Sequence, residues 1–236
     1  MRSRRQSANS WASVDHPQCK EGTTKLTIVY DNEVMKQGLK SGWGFSALIE
    51  TEQASPILFD TGDDGSALLY NMQELGIDAK RIGTIVLSHD HGDHTGGLHS
   101  ILEINGDAEI YAPPSLLRRL SGRGVKAVTK PVQICAGVFS TGELKGIEQS
   151  LVLKTNKGII VLTGCSHPGV SEILRAASRF GKVSGIVGGF HGFHNFDRLR
   201  GLSLICPCHC TQYKSEILRL FPNSYEECGT GLELEF

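Results

Sequence analysis

The sequence predicts a layered α/β domain in which sheets pack on each other and helices lie outside. Apolar runs of strand length come in groups, and the segments with helical spacing fall between those groups. A strictly alternating parallel sheet would instead place a helix after each strand. The 236 residues, 39% hydrophobic and 21% charged, are enough to bury one substantial core as a single domain.

Taken in order, Thr24 to Tyr30 alternates apolar and polar positions as a half-buried strand does. Gly44 to Glu50 reads the same way, and Pro56 to Asp60 reads as a third strand stopped by Thr61-Gly62. Ala67, Leu68, Leu69, Met72 and Leu75 have helical spacing, ended by Gly76. Ile82 to Leu87 is the next buried strand. The middle is less regular: Pro113-Pro114 precedes a basic segment, Arg118 to Gly124, expected as a helix and solvated loop, or as a grip for an anionic substrate. Gln149 to Thr155 and Gly158 to Leu162 form a hairpin turned at Asn156-Lys157-Gly158. "TGCSHPG" follows, then a helix carrying Ile173, Leu174, Ala176 and Ala177. Val183 to Val187 leads into "GGFHGFH", and Leu202 to Ile205 leads into "CPCHC". A helix around Ile217, Leu218 and Leu220 and an alternating segment, Gly231 to Phe236, complete the chain, which has no internal repeat.

Composition excludes several classes of partner. Lys and Arg total 24 against 25 for Asp and Glu, a net charge of -1, so no overall field recruits nucleic acid or an anionic membrane. Residues 1 to 23 are basic and polar, with no apolar core for a signal peptide, and are expected as a poorly ordered tail before a domain spanning 24 to 236. No apolar run approaches the roughly 18 residues of a membrane span. Seven cysteines, an odd number, without an export signal point to reduced thiols in the cytoplasm.

The chemistry concentrates in "LSHDHGDHTGG". His89, His91, Asp93 and His94 offer imidazole nitrogen and carboxylate oxygen at the end of a buried strand, ligands suited to zinc and other divalent first-row metals. His89 and His91 can face one point while Asp93 and His94 bend toward a second, so four ligands on one turn suit two adjacent ions. A solvated loop with coincidental histidines is improbable at this spacing.

"SHDHGDHTGG" resembles the H-x-H-x-D-H signature of the metallo-β-lactamase superfamily, and "LFDTG", with Asp60, resembles the short acidic motif that family carries upstream. The likeness extends over most of residues 24 to 236. It implies an αββα sandwich with a dinuclear metal site at the edge of the sheets. "EQSLVLKTNKGIIVLTGCSHPG", "VGGFHGF" and "CPCHCT" are similar to the dihydropterin-ribofuranosylaminobenzene phosphate synthase branch, associated with methanopterin formation.

The chain departs from the family pattern in two places. No histidine occurs between His99 and His167, and the place expected for an aspartate bridging both metals holds Cys165. His167 is the candidate to fill the gap. Cys165 is either a small buried residue or a thiolate ligand, and Glu148 is a weaker stand-in. In an extended "CPCHC", a period of two would put three cysteines on one face and His209 on the other. A structural zinc knot there is disfavoured, because zinc ligands usually pair two to four residues apart with a second pair far away. His209 matches the family's last histidine.

The resemblance therefore implies two divalent ions, zinc foremost, with manganese and iron also compatible. One would be held by His89, His91 and His167 and the other by Asp93, His94 and His209, activating water for attack on an electrophilic carbonyl or phosphorus. Asp93 would also orient the nucleophile. His191 reads equally as a leaving-group acid or substrate contact and as a plain loop residue, while His99 and His194 have no comparable context. The expected activity is a metal-dependent hydrolase of a phosphoester, cyclic phosphate or lactone on a small, anionic substrate. The alternative is a biosynthetic transferase displacing diphosphate from a pterin. Di-iron redox chemistry is disfavoured because related proteins place a glutamate where His91 stands and carry a flavin domain, and the intact motif argues against a non-catalytic metal module.

Overall fold

A computed structural model of the protein describes residues 23–120 and 124–236. The expected N-terminal tail lies outside the described residues except for Thr23, and so do positions 121–123 of the basic segment. The strands are β1 (Thr24–Tyr30), β2 (Ser46–Thr51), β3 (Ala54–Phe59), β4 (Thr84–Val86), β5 (Glu109–Ala112), β6 (Val125–Ala127) and β7 (Val132–Cys135). They continue with β8 (Val138–Ser140), β9 (Leu151–Thr155), β10 (Gly158–Thr163), β11 (Val183–Gly189), β12 (Leu204–Cys208) and β13 (Glu233–Glu235). The helices are α1 (Gly65–Glu74), α2 (Gly92–Thr95), α3 (Leu98–Ile104), α4 (Val170–Ala177) and α5 (Lys214–Leu220).

Two mixed sheets result. One has the order β13-β1-β2-β3-β4-β5-β6 and the other β12-β11-β10-β9-β8-β7. The alternation seen in the sequence sorts side chains between layers. Leu26, Ile28, Ala47, Ile49, Ile57 and Phe59 of the first sheet meet Leu151, Leu153, Ile160, Leu162 and Val187 of the second in the central core. Their outward neighbours Val29, Leu48, Leu58 and Ile85 pack under α1 and α3, against Leu68, Met72, Leu98 and Ile101. Ile159, Val161, Ile186 and Ile205 pack against Val170, Ile173 and Ile217 from α4 and α5. The architecture is the expected αββα sandwich, each buried Leu, Ile or Phe contributing about 1.5–3 kcal/mol. No helix among the described residues is long and apolar enough to cross a membrane.

Local signals explain most element ends. Asp64 caps α1 by accepting from Ser66 N and Ala67 N, and Gly76, at φ 72°, turns the chain after it. The β9–β10 hairpin pairs Thr155 with Gly158 as its turn residues predict. Two expectations are corrected. The described part of the basic segment, residues 118–120, continues as a turn from the 3₁₀ turn Pro114–Leu116 where a helix was expected, its N–H groups reaching back three residues, Arg119 N to Leu116 O and Leu120 N to Leu117 O. "CPCHC" is not extended throughout: β12 ends at Cys208, and His209 takes a left-handed conformation at φ 45°. Cys206 and Cys208 therefore enter the central core while Cys210 turns elsewhere.

Candidate metal centre

Parallel pairing decides where the chemistry collects. β3 runs parallel to β4 in one sheet, and β10, β11 and β12 are parallel in the other. Their C-terminal ends emit Asp60, residues 87–94, residues 164–167, His191 and His209, and the two sets meet at one edge of the sandwich. Gln149, between the sheets, donates from Nε2 to Leu87 O at 2.8 Å, and its N–H donates to Ser88 O at 2.9 Å.

The donor atoms form two groups. Those of Asp93, His94, Cys165 and His209 lie within 4.8 Å of one another, as do those of His89, Cys165 and His167. His91 joins the second group, its Nδ1 3.0 Å from His89 Nε2 and its ring centroid 4.8 Å from that of His167. In the first group His94 Nε2 is 3.2 Å from Cys165 Sγ, and His209 Nε2 is 3.2 Å from Asp93 Oδ2. Every metal-ligand candidate of the sequence thus converges, and Cys165 stands between the groups where the family pattern would put the bridging aspartate. Glu148 is corrected: it offers no ligand atom, because its carboxylate is consumed by the backbone of residues 164–167.

Hydrogen bonds fix which ring nitrogen faces inward. Asp60 accepts from Ser88 N at 2.7 Å, from Ser88 Oγ at 2.6 Å and from His94 Nδ1 at 2.7 Å. With its proton given to Asp60, the Ser88 hydroxyl accepts from His89 Nδ1, 2.8 Å away. Asn32 Oδ1 accepts from Gly44 N and from His209 Nδ1 at 2.9 Å, while Asp31 Oδ2 accepts from His209 N at 2.9 Å. His89, His94 and His209 therefore each turn Nε2 toward the site, the nitrogen that would present its lone pair to a metal.

The loop carrying Cys165 and His167 is anchored from below. Glu148 Oε1 accepts from the N–H groups of Gly164, Cys165 and Ser166 and from Thr163 Oγ1, and Oε2 accepts from His167 N at 2.8 Å. Burial pushes the Glu148 carboxyl up, and these donors act against that shift. Glycine permits the close approach of α2: a Cβ on Gly96 would lie 2.2 Å from Asp63 O, and one on Gly97 2.3 Å from Thr61 O. Five non-glycine residues have positive φ among the described residues: Asp60, Lys145, Ser166, His191 and His209. All lie in or beside this edge, Lys145 through its Nζ donating to Pro168 O at 2.7 Å, so backbone strain is concentrated where the donors are aimed.

Burial and neighbouring charge shift the donors in both directions. Burial, then His94, hold His89 well below the usual imidazole value, and burial with His91 lowers His167 to about 4. For Asp93, burial alone would raise the carboxyl, but the His209 hydrogen bond and His94 bring it to about 2. Burial also opposes protonation of His94, yet the Asp60 carboxylate outweighs it and raises the value. Cys165 and Cys210, Sγ atoms 3.3 Å apart, are hydrogen-bonded, and this pushes Cys165 up and Cys210 down to about 5.

These residues fit divalent metal ions. Among the described residues only two buried side-chain polar atoms lack a hydrogen-bond partner, and one is Nε2 of His167, a residue of the donor array. Buried imidazole nitrogens facing each other, with carboxylate and thiol beside them, satisfy one another poorly and a shared cation well.

His191 is exposed on the rim, its ring centroid 5.2 Å from that of His167. His99 and His194 lie outside the cluster, the first ion-paired with Glu103 on the surface and the second bonded to Gly192 O. Sequence reasoning missed Asp31, Asn32, Cys210 and Trp43, whose ring lies 5.0 Å from that of His209. Asp31 and Asn32 close the first strand but meet His209 only across 178 and 177 residues of chain, and no local pattern announces that contact.

Comparison with known proteins agrees with this fold. Residues 44–142 match the family model for the metallo-beta-lactamase superfamily. A 7,8-dihydropterin-6-methyl-4-(beta-D-ribofuranosyl)-aminobenzene-5'-phosphate synthase of Methanocaldococcus jannaschii is 29% identical over 265 residues, covering 82% of this chain and 90% of the relative. The crystal structure of Tm1679, described as a metal-dependent hydrolase of the beta-lactamase superfamily, superposes with a TM-score of 0.73 at 27% identity, covering 90% of this chain and 99% of that one. YhfI of Bacillus subtilis, a metallo-beta-lactamase fold protein, shares the fold with a TM-score of 0.65 at 14% identity, over 92% of this chain and 100% of that one. The chain thus resembles members of the metallo-β-lactamase superfamily in its fold, and residues 44–142, which carry the histidine–aspartate motif, match that family's model.

Proposed function

We propose that the protein is a metal-dependent hydrolase that binds two divalent ions and acts on a small anionic substrate: a phosphoester, a cyclic phosphate or a lactone. The observation that carries this reading is the pair of donor groups sharing one thiol, Cys165. His89, His91 and His167 would hold one ion, Asp93, His94 and His209 the other, and Cys165 would contact both. Ions held there supply a nucleophile from water near neutral pH and polarise the bond under attack. A thiolate among imidazoles favours zinc over manganese.

The chain's own groups do the rest. Asp93 stays ionised and has a carboxylate available to orient the attacking water. His191, at the rim, is placed to give a proton to the leaving group. The Lys145 ammonium, over the 164–168 loop, and Arg119, paired with Asp90 at 2.6 Å, give the approach a positive border suited to an anion.

A second reading, a biosynthetic transferase displacing diphosphate from a pterin, is favoured by Trp43 and by the synthase likeness. Trp43 is 61% exposed while touching the His209 ring, so its indole face is open to stack a flat heteroaromatic ligand beside the donors. Elemental analysis of zinc-supplied protein tests the metal assignment. Two ions per chain, falling toward one in His167→Ala, are expected, and one or none in wild type overturns it. A screen of phosphomonoesters, phosphodiesters, cyclic phosphates and lactones then separates the readings. Turnover indifferent to Trp43→Ala supports the hydrolase, whereas no turnover together with pterin binding lost in Trp43→Ala supports the transferase.

A further inference from the structure

We propose that Cys206, Cys208 and Cys228 form a separate binding site for one soft, thiophilic d¹⁰ metal ion inside the sandwich. Their Sγ atoms lie within 4.8 Å of one another, and those of Cys206 and Cys208 are 3.9 Å apart. All three are buried, at 0%, 0% and 2% exposure, and none belongs to either donor group of the edge site. A triangle of sulfurs with every side at the 3.9 Å of the Cys206–Cys208 pair would place its centre about 2.3 Å from each, the length of a metal–thiolate bond, and the sides to Cys228 lie within 4.8 Å.

The fold builds the triangle from distant segments. Cys206 and Cys208 are two apart on β12, so the strand period sends both inward, past Pro207. Cys228 arrives from the segment before β13 and is held on both sides: Glu226 N donates to Ile205 O at 2.9 Å, and Thr230 N donates to Glu33 O at 2.8 Å. This resolves the spacing objection to a structural site, since the paired cysteines recruit their distant partner through the tertiary fold. Cys210, the third cysteine of the motif, is not part of it.

The surroundings suit a charged thiolate complex. Asp31 Oδ2 lies 3.7 Å from Cys228 Sγ, a fourth oxygen donor in reach. Lys214, half-buried, donates to Glu33 Oε1 at 3.1 Å, and although burial lowers its proton affinity, Glu33 first and then Asp31 and Cys228 outweigh this and keep a positive charge near the three thiols. All three cysteines belong to the same buried apolar cluster as Leu26, Ile28 and Leu232. Coordination forms three metal–sulfur bonds and releases three thiol protons to solvent. The ion would join β12, the chain after β1 and the C-terminal segment, beneath the turn that presents His209.

Cadmium alone, supplied during expression so that burial does not bar entry, is the probe. The full chain with Cys19→Ser, Cys135→Ser, Cys165→Ser and Cys210→Ser retains only these three thiols. One tightly held cadmium with sulfur-to-cadmium charge-transfer absorbance is expected, lost on adding either Cys228→Ala or Cys206→Ala. The absence of that absorbance in the folded four-serine protein, or its persistence in a folded Cys228→Ala or Cys206→Ala derivative, overturns the proposal and leaves three thiols packed as small apolar groups. Should the four-serine protein not fold, wild type decides by alkylation. Cys206, Cys208 and Cys228 resist modification in partly denatured cadmium protein and react after chelation if the site exists, and react equally before and after if it does not.

Discussion

Asp60 shows how one side chain can set a site without touching anything that would bind there. It is fully buried at φ 57° and takes three hydrogen bonds, through which two histidines acquire the tautomer that points Nε2 inward. Asp60→Asn replaces one acceptor by a donor that faces the Ser88 and His94 donors. Zinc titration is expected to show affinity at the site reduced by about 10–100-fold, with the fold retained by circular dichroism. The histidines also make stability pH-dependent. His167, lowered to about 4, and His89, lowered further, bind fewer protons folded than unfolded below the ordinary imidazole value of about 6.5. Stability of metal-free protein therefore falls as pH drops below about 6.5 and, for His167, goes on falling through about 4. His94 opposes this, since its raised value contributes stability below 6.5 that is lost as pH rises through the folded value. Among these histidines the lowered pair outnumbers His94, and the raised Glu148 carboxyl also opposes them; a loss on acidification is read as a lower urea midpoint at pH 5 than at pH 7 in chelator. His167→Gln should flatten that slope.

At the level of elements, strand ends and the loops they emit do the positioning. The 164–167 loop leaves β10 with four consecutive N–H groups turned to a single carboxylate, Glu148, and this buried nest makes Cys165 and His167 project toward the donors. Glu148→Gln keeps one acceptor oxygen but sets an amide against a buried N–H. A loss of about 1–3 kcal/mol is expected in urea unfolding, with the slope unchanged, together with a lower zinc count at the His89, Cys165 and His167 group. An equal zinc count in the variant would show that the loop holds its shape without the carboxylate. The α2 turn depends on glycine for a similar reason, because backbone of the 61–63 segment lies against it.

Across the whole molecule, the edge site exists because two sheets are held in register. Gln149 spans them: its Nε2 donates to Leu87 O and Tyr111 O in the first sheet, and its Oε1 accepts from Ser140 Oγ in the second. Gln149→Leu, similar in volume, removes these bonds at the base of the site. A stability loss of about 1–3 kcal/mol for each buried partner left unpaired is expected from thermal and urea unfolding. Zinc stoichiometry should fall with it if the sheets shift, whereas unchanged stoichiometry would place the register in the apolar core alone.

Much of this was legible in one dimension. The alternating runs announced β1 and β2, apolar runs bounded by turn residues announced β3, β9 and β10, Gly76 announced the end of α1, and His89 to His94 announced a candidate metal site, because those signals are local and their chemistry is specific. The short strands β5 to β8 were hidden, since three or four residues carry too little periodicity to separate from loop. The sequence by itself determined the layered class, the ligand types and the candidates His167 and His209. Only the tertiary structure decided that Cys165 stands between two donor groups, that Glu148 supports the loop, and that Asp31 and Asn32 orient His209. It alone brought Cys228 to Cys206 and Cys208. These relations span up to 178 residues of chain and arise from strand order and direction, which local patterns do not encode.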